Sequence, residues 1–157
     1  MKSVYIETSI PSYLTARPST DVRSAAWQQI TYQWWEEEKS KFQLFISQLV
    51  IAEASGGHPE AADRRIKALD SIPELPIDEE IGHFAKLLMS GGGIPPSSEA
   101  DALHVAIAAV HRVDYLLTWN CRHINNASTK PIIRSLCDQA GYIFPEICTP
   151  QELLSEE

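Results

Sequence analysis

The chain has 157 residues, of which 44% are hydrophobic and 22% are charged, with 13 Lys and Arg against 21 Asp and Glu. This size and composition fit one folded domain, residues 1–157, and exclude a chain that is disordered throughout. The formal net charge of −8 at pH 7 argues against nucleic-acid binding through a broad basic surface. It does not exclude an enzyme that meets phosphates through bound cations.

The cysteines and the N-terminus bear on the cellular compartment. Cys121, Cys137 and Cys148 lack C-x-x-C spacing and do not make a disulfide framework, so buried thiols in a reducing compartment are the simpler interpretation. The first residues lack the apolar stretch of a signal peptide, and no run approaches the roughly 18 apolar residues of a membrane span. We therefore expect a soluble cytoplasmic protein without a membrane partner.

The first half of the chain alternates predicted strands and helices. The pattern predicts strands at 3–6 and 42–46, and helices at 21–39, 48–55, 59–69 and 79–90. Thr20 is the expected N-cap of the helix 21–39, and Ser47 is that of the helix 48–55. Prolines break the segment 73–76 between the last two helices.

The second half continues the alternation. The pattern predicts an almost wholly apolar helix from Ser97 or Ser98 to about Arg112, a helix at 129–141, strands at 115–119 and 142–144, and a capping box at 149–152. Strands separated by helices, rather than by tight hairpins, indicate parallel pairing through crossovers. The fold class expected from this order is an α/β protein whose parallel sheet is covered by helices.

Four polar side chains stand out against this pattern. Glu7 directly follows the first strand and Asn120 follows the strand that ends at Trp119, where open parallel sheets bind ligands. Glu53 and Asp101 lie in apolar helices with no Lys or Arg within four residues. A buried carboxylate is costly unless it is paired or bound to a cation, and oxygen ligands without clustered Cys or His suit Mg²⁺ or Mn²⁺.

Each of these residues also has a simpler interpretation. Glu7 could place a negative charge near the N-terminus of a following helix, and Asp101 could complete a capping box with Ser98. Glu53 could be exposed at the end of its helix, and Asn120 could be an ordinary turn residue. Taken together at one rim of a sheet, the four favour a metal site.

The order of these residues resembles the PIN-domain family, especially the VapC-type ribonuclease toxins of toxin–antitoxin pairs. Four segments carry the resemblance: a strand ending in an acid before Thr-Ser (4–9), a helix with one glutamate (47–55), an aspartate that leads an alanine-rich helix (101–108), and a strand ending in Thr-x-Asn (114–120). They span about residues 3–150. Trp-Asn at 119–120, followed by Arg-His at 122–123, is typical of one branch of the family.

The resemblance implies a three-layer α/β/α sandwich with a short central parallel sheet, and metal-dependent hydrolysis of RNA phosphodiester bonds. Mg²⁺ or Mn²⁺ would be held by the four polar residues, Glu7, Glu53, Asp101 and Asn120. Thr8 or Ser9 would orient a water or a ligand. Arg122 and His123 would contact the RNA backbone or stabilise developing charge. A solvated surface charge is the alternative for Arg122. The resemblance further implies an antitoxin partner and a homodimer.

Two departures from the family pattern keep a second function open. Glu7 stands where the family usually has aspartate, and Asn120 where it often has aspartate. Displacement of a catalytic group by about 1 Å can cost roughly 100-fold in rate. An inactive PIN-like scaffold that acts through protein binding is therefore the alternative. A phosphatase or a nucleotide-binding flavodoxin-like domain is less favoured, because no glycine-rich phosphate loop follows the first strand.

The helix 21–39 carries more large aromatic surface than one face can bury. Trp27 and Trp34 share a face and are expected in the core, whereas Tyr32 and Trp35 point elsewhere. Such side chains could form an exposed patch for a partner or could equally pack against the neighbouring helix. His104, on the apolar helix, is expected to be a partly buried structural residue.

Overall fold

The computed structural model describes residues 1–156. Over that range strands and helices alternate along the chain: β1 (Ser3–Ile6), α1 (Ser9–Thr15), α2 (Val22–Glu37), β2 (Gln43–Ser47), α3 (Gln48–Ala54), α4 (Pro59–Ala68), β3 (Glu74–Leu75), α5 (Glu79–Ser90), α6 (Glu99–Val110), β4 (Tyr115–Leu117), α7 (Lys130–Ala140) and β5 (Glu146–Cys148). Short 3₁₀ helices span Lys39–Lys41 and Pro150–Leu153.

The strands form one parallel sheet in the order β3-β2-β1-β4-β5. The central strand β1 pairs with β2, where Val4 lies opposite Leu44, and with β4, where Tyr5 lies opposite Leu116. Helices pack on both faces of the sheet, which confirms the predicted three-layer α/β/α sandwich. The chain winds outward from β1 to β3 and then crosses to β4 on the other side. The carboxyl ends of β1 and β4 therefore flank the switch point at which such sheets bind ligands.

The core surrounds β1 and α6. Val4, Tyr5 and Ile6 of β1 are all fully buried. On α6 the buried set includes Ala102 and His104 to Ala109. A strand and a helix buried on all sides read as continuous apolar runs, because neither has a face in contact with water.

Most predicted elements are present, with ends shifted by one or two residues. The helix over 79–90 is found with those bounds, and Ser47 caps α3 by accepting from the Val50 N–H group. The expected N-cap Thr20 is wrong. Asp21 caps α2 instead, because its extended backbone lets its carboxylate accept from the Ser24 N–H group at 2.9 Å.

Two elements were not predicted. Helix α1 follows β1 almost directly and includes Pro11 in its first turn. In the first turn of a helix a proline loses no hydrogen bond, because the N–H groups there have no partner within the helix. Strand β3 has two residues and pairs Glu74 with Ile46 at the sheet edge, which is too short for a periodic signal.

The strand predicted at 142–144 is wrong. Gly141 adopts a left-handed conformation with φ of 83°, and the Tyr142 N–H group donates to the Cys137 carbonyl at 2.8 Å. These residues therefore terminate α7. The strand forms later, at Glu146–Cys148, while the predicted capping box at 149–152 is present in a 3₁₀ helix.

The aromatic residues of α2 differ in how deeply they are buried. Trp34 is fully buried, as predicted, but Trp35 is only 6% exposed and lies under the Lys39 ammonium, 4.4 Å from the ring centre. Trp35 therefore takes the packed alternative and adds nothing to an exposed patch, whereas Tyr32 is 54% exposed. Trp27 is half-buried and stacks on Trp119 at 4.7 Å between ring centres.

Two of the three cysteine thiols are buried. Burial raises the pKa of Cys137 to about 11 and, with nearby carboxylates, that of Cys148 to about 12. Cys121 is exposed, so the expectation of buried thiols is wrong at that position. Among residues 1–156, no helix is both long enough and apolar enough to cross a membrane.

Candidate active site

The candidate site lies at the carboxyl ends of β1 and β4. Glu7 follows β1 directly, and its N–H group donates to the Leu117 carbonyl at the end of β4 at 3.1 Å. Glu53 lies in the last turn of α3, and Asp101 lies in the first turn of α6. Asn120 lies three residues beyond β4, because that strand ends earlier than predicted.

The Glu7 carboxylate is held by donors from its own chain. Its Oε1 atom accepts from the Ser9 hydroxyl at 2.5 Å and from the Thr118 hydroxyl at 2.6 Å. Its Oε2 atom accepts from the Ser9 N–H group at 3.1 Å. Glu7 is only 6% exposed, and hydrogen bonds of this charge-assisted kind offset the cost of burying it. The longer side chain is thus fixed at both β1 and β4.

Glu53 is bonded by two residues from other elements. Its Oε1 atom accepts from the Thr8 hydroxyl at 2.6 Å and lies 2.6 Å from the His104 Nε2 atom. Burial raises the pKa of Glu53, but the His104 hydrogen bond and charge and the Thr8 hydrogen bond together lower it below its usual value. The side chain remains 33% exposed, so this carboxylate is ionised, oriented and open to solvent.

His104 is fully buried rather than partly buried, and it contacts the site. Its Nδ1 atom lies 2.8 Å from the Tyr5 hydroxyl, which in turn lies 2.8 Å from the Ser47 hydroxyl. Burial strongly raises the pKa of the Tyr5 hydroxyl, which therefore stays protonated. The purely structural role expected for His104 left out its bond to Glu53.

The site has two parts: the first consists of Glu7, Glu53 and His104, and the second of Asp101, Asn120 and His123. The Asn120 side-chain amide donates to the Asp101 Oδ1 atom at 3.2 Å, and the Asp101 Oδ2 atom lies 3.1 Å from the His123 Nδ1 atom. The His123 N–H group donates to the Asn120 side-chain carbonyl at 2.9 Å. Asn120 therefore belongs to a side-chain network with Asp101 and also holds the turn that follows it, as the simpler interpretation expected.

The capping-box alternative for Asp101 is not supported. The Ser98 side chain makes no hydrogen bond that caps α6 within the described chain, and its hydroxyl lies 3.2 Å from the His123 Nδ1 atom. Thr118 joins the two parts of the site. Its hydroxyl donates to Glu7 and accepts from the Asn120 N–H group at 2.9 Å.

The ligand atoms nearest to one another are oxygens of Glu7 and Glu53 and a ring nitrogen of His104, all within 4.8 Å. A carboxylate offers about four lone-pair directions. Three are used on Glu7 and two on Glu53, where within residues 1–156 only Oε1 is bonded. Both carboxylates therefore keep unused lone pairs that a divalent cation could take.

The remaining predicted residues lie around this cluster. The Thr8 and Ser9 hydroxyls each donate to one of the carboxylates, Glu53 and Glu7 respectively. Arg122 is exposed. Trp119 anchors the loop after β4, because its indole N–H group donates to the buried Thr31 hydroxyl at 2.7 Å.

Sequence reasoning assigned no role to Tyr5 and Thr118, gave His104 only a structural role, and gave His123 a contact with RNA rather than with Asp101. Thr118 belongs to the Thr-x-Asn pattern, which is a usable signal. His104 lies three residues after Asp101, on the same helix face. Tyr5 is one of several large side chains on a buried strand, and nothing in its local sequence distinguishes it.

The chain was compared with known families, curated proteins and solved structures. No family model matches it, and no curated protein sequence matches it. A chain in the crystal structure of VapBC2 from Rickettsia felis bound to a DNA fragment from their promoter matches with a TM-score of 0.59. The two chains share one fold. The match covers 94% of this chain and 98% of that chain at 15% sequence identity, so it shows the fold alone and assigns no residue roles.

Proposed function

We propose that this protein is a Mg²⁺- or Mn²⁺-dependent endoribonuclease that acts as the toxin of a toxin–antitoxin pair. The observation that carries the proposal is the pair of carboxylates, Glu7 and Glu53, with ligand atoms within 4.8 Å at the switch point of the sheet. The shared fold with a chain of VapBC2 agrees with the order of the four sequence motifs.

The division of roles follows from the hydrogen bonds. Glu7 and Glu53 would hold the cation, with Asp101 and Asn120 beside them, completing the site directly or through water. A bound cation of this kind polarises the scissile phosphate and lowers the pKa of a bound water. Thr8 and Ser9 orient the carboxylates, since their hydroxyls already donate to them.

The partners follow from charge and position. Because the net charge is −8, the RNA would meet the site through the cation and through a few basic groups such as exposed Arg122. An antitoxin presenting basic groups would complement the acidic surface. A homodimer is the proposed assembly, as in the resembled toxins.

Cleavage of a fluorogenic RNA in Mn²⁺ tests the proposal. We expect Glu53→Gln and Asp101→Asn to lower kcat/KM by about 100-fold or more, because each removes a charge and keeps the shape. Asp63→Asn is the matched control, since Asp63 is an exposed carboxylate of α4 paired with Lys67. Equal activity in all four proteins would contradict the assignment of the site.

The inactive scaffold remains the second candidate, and one observation favours it. The Glu7 carboxylate is 6% exposed and already accepts three hydrogen bonds, so it offers a cation less than a free carboxylate does. Calorimetric titration with millimolar Mn²⁺ separates the two functions. Absence of binding heat, together with absence of RNA cleavage, would establish the scaffold.

A further inference from the structure

We infer that His104 is a positioning residue that holds the Glu53 carboxylate through its Nε2–H group, and that it is not a ligand of the cation. The functional consequence rests on the proposed function, in which Glu53 binds the cation. The hydrogen bond itself does not depend on that function. A ring nitrogen of His104 lies within 4.8 Å of the Glu7 and Glu53 carboxylates, close enough to be taken for a metal ligand.

Both ring nitrogens of His104 already have partners. Nε2 lies 2.6 Å from the Glu53 Oε1 atom, and Nδ1 lies 2.8 Å from the Tyr5 hydroxyl. The ring is fully buried, so water cannot replace either partner. An imidazole that binds a metal through one nitrogen normally uses the other as a donor, which leaves no place for a second carboxylate bond at the binding nitrogen.

Counting protons fixes the direction of the bond to Glu53. Glu53 is ionised and can only accept, so Nε2 must carry the proton whether the ring is neutral or charged. In the neutral ring Nδ1 accepts from the Tyr5 hydroxyl, and Tyr5 accepts from Ser47. In the charged ring Nδ1 donates to Tyr5 and Tyr5 donates to Ser47, which leaves the Ser47 O–H group without an acceptor among the described residues. The neutral arrangement satisfies every polar group in the chain Ser47–Tyr5–His104–Glu53.

The alternative tautomer is unfavourable. With the proton on Nδ1 alone, the Nε2 lone pair would face a carboxylate oxygen at 2.6 Å. Two acceptors at that distance repel each other, and the buried Nε2 atom would be left without a hydrogen bond. In the favoured arrangement Nε2 carries the proton, so it has no free lone pair for a cation.

The network also explains why Glu53 has a fixed place. Ser47 caps α3 at its N-terminus by accepting from the Val50 N–H group, and the same hydroxyl contacts Tyr5. Glu53, in the last turn of that helix, is tied to Tyr5 through His104. Helix α3 is thus attached to β1 at one end and to α6 at the other, which orients the partly exposed Glu53 carboxylate.

NMR of the His104 ring nitrogens in the full chain, with and without saturating Mg²⁺, tests the inference directly. We expect a protonated Nε2 in both spectra. A ring protonated on Nδ1 alone without Mg²⁺, or loss of the Nε2 proton when Mg²⁺ binds, would overturn it. A chain that binds no Mg²⁺ would refute the metal site of the proposed function, while the metal-free spectrum would still decide the His104–Glu53 bond.

Variants give a second readout through the Mn²⁺ dissociation constant, measured by calorimetry. His104→Ala should weaken Mn²⁺ binding by about 10- to 100-fold, as expected for loss of a residue that supports a ligand. His104→Gln should restore most of the affinity, because its side-chain amide can donate to Glu53 from nearly the same place. Equal loss in folded Ala and Gln variants would show that the ring nitrogen itself is required as a ligand, and would overturn the inference.

Removal of the tyrosine hydroxyl tests the outer part of the network. Tyr5→Phe should weaken Mn²⁺ binding several-fold, because the ring of His104 loses the partner that orients it. Tyr142→Phe is the matched control, since the Tyr142 hydroxyl bonds Glu80 at 2.7 Å on another part of the molecule. Thermal unfolding of each variant confirms that it folds. Unchanged affinity in folded Tyr5→Phe would show that Tyr5 does not position His104.

Discussion

Glu7 illustrates at the residue scale how a departure from a family pattern is accommodated. The acid is one methylene longer than the usual aspartate, and the hydroxyls of Ser9 and Thr118 both donate to its Oε1 atom. Its carboxylate is therefore fixed at the position that the longer side chain reaches. The site is adapted to glutamate.

We accordingly predict that Glu7→Asp lowers activity, although aspartate is the usual residue in the resembled family. The shorter side chain withdraws the carboxylate by more than about 1 Å from Thr118, and a displacement of that size costs roughly 100-fold in rate. Steady-state cleavage of RNA in Mn²⁺ measures this. A variant as active as the wild type, or more active, would show that the chain does not require the longer acid.

The Thr118 hydroxyl orients the Glu7 carboxylate, and its removal can be tested. Thr118→Val keeps the shape of the side chain but removes the donor to Glu7 and the acceptor for the Asn120 N–H group. We expect Mn²⁺ to bind about 10- to 100-fold more weakly, because the carboxylate loses a partner that orients it. Calorimetry gives the affinity. Thr15→Val, which removes a hydroxyl bonded to Pro11 at the end of α1, is the control and should bind as the wild type does.

At the element scale, the starts of β1 and β4 are joined by reciprocal hydrogen bonds. The Ser3 N–H group and hydroxyl donate to the Asp114 carboxylate at 2.8 and 3.0 Å, and the Asp114 N–H group donates to the Ser3 hydroxyl at 2.9 Å. The hydrogen bond from the Ser3 backbone is the main cause that lowers the pKa of Asp114.

This lowered pKa sets the sign of a pH dependence. A carboxyl group whose pKa is lower in the folded protein stabilises the fold at any pH above its pKa in the unfolded chain. That stabilisation is lost as the pH falls through its pKa in the folded protein. The difference in Tm between the wild type and Asp114→Asn should therefore be larger at pH 7 than at pH 3. Thermal unfolding at both values measures it. A difference that grows in acid would contradict this role of Asp114.

Local sequence explains which elements could be predicted. Ser47 and Gly141 act on the backbone beside them, so the start of α3 and the end of α7 can be predicted from the local sequence. The pattern of β1 alone places Glu7 at the end of a strand. The bond between Thr118 and Glu7 joins residues 111 positions apart, and that between His104 and Glu53 joins residues 51 apart. Such contacts depend on packing of the whole fold, and no local pattern signals them.

At the scale of the whole molecule, the charge of −8 limits how RNA can be held. A protein that neutralises six to ten phosphates loses about 10³ to 10⁵ in affinity between 50 and 200 mM salt. The 13 Lys and Arg residues are outnumbered by 21 Asp and Glu residues, so we expect KM for RNA to rise by less than about tenfold over that range. Arg122→Gln should reduce the rise by about two- to threefold if Arg122 contacts one phosphate. A steep salt dependence would reveal a basic RNA-binding surface, for example across subunits.

The most direct measurement is anomalous diffraction from crystals of the full chain grown with Mn²⁺. We predict an anomalous peak between the Oε2 atoms of Glu7 and Glu53, with the His104 Nε2 atom still bonded to Glu53. A peak at another place, or no peak at saturating Mn²⁺, would contradict a cation site at the switch point of this sheet.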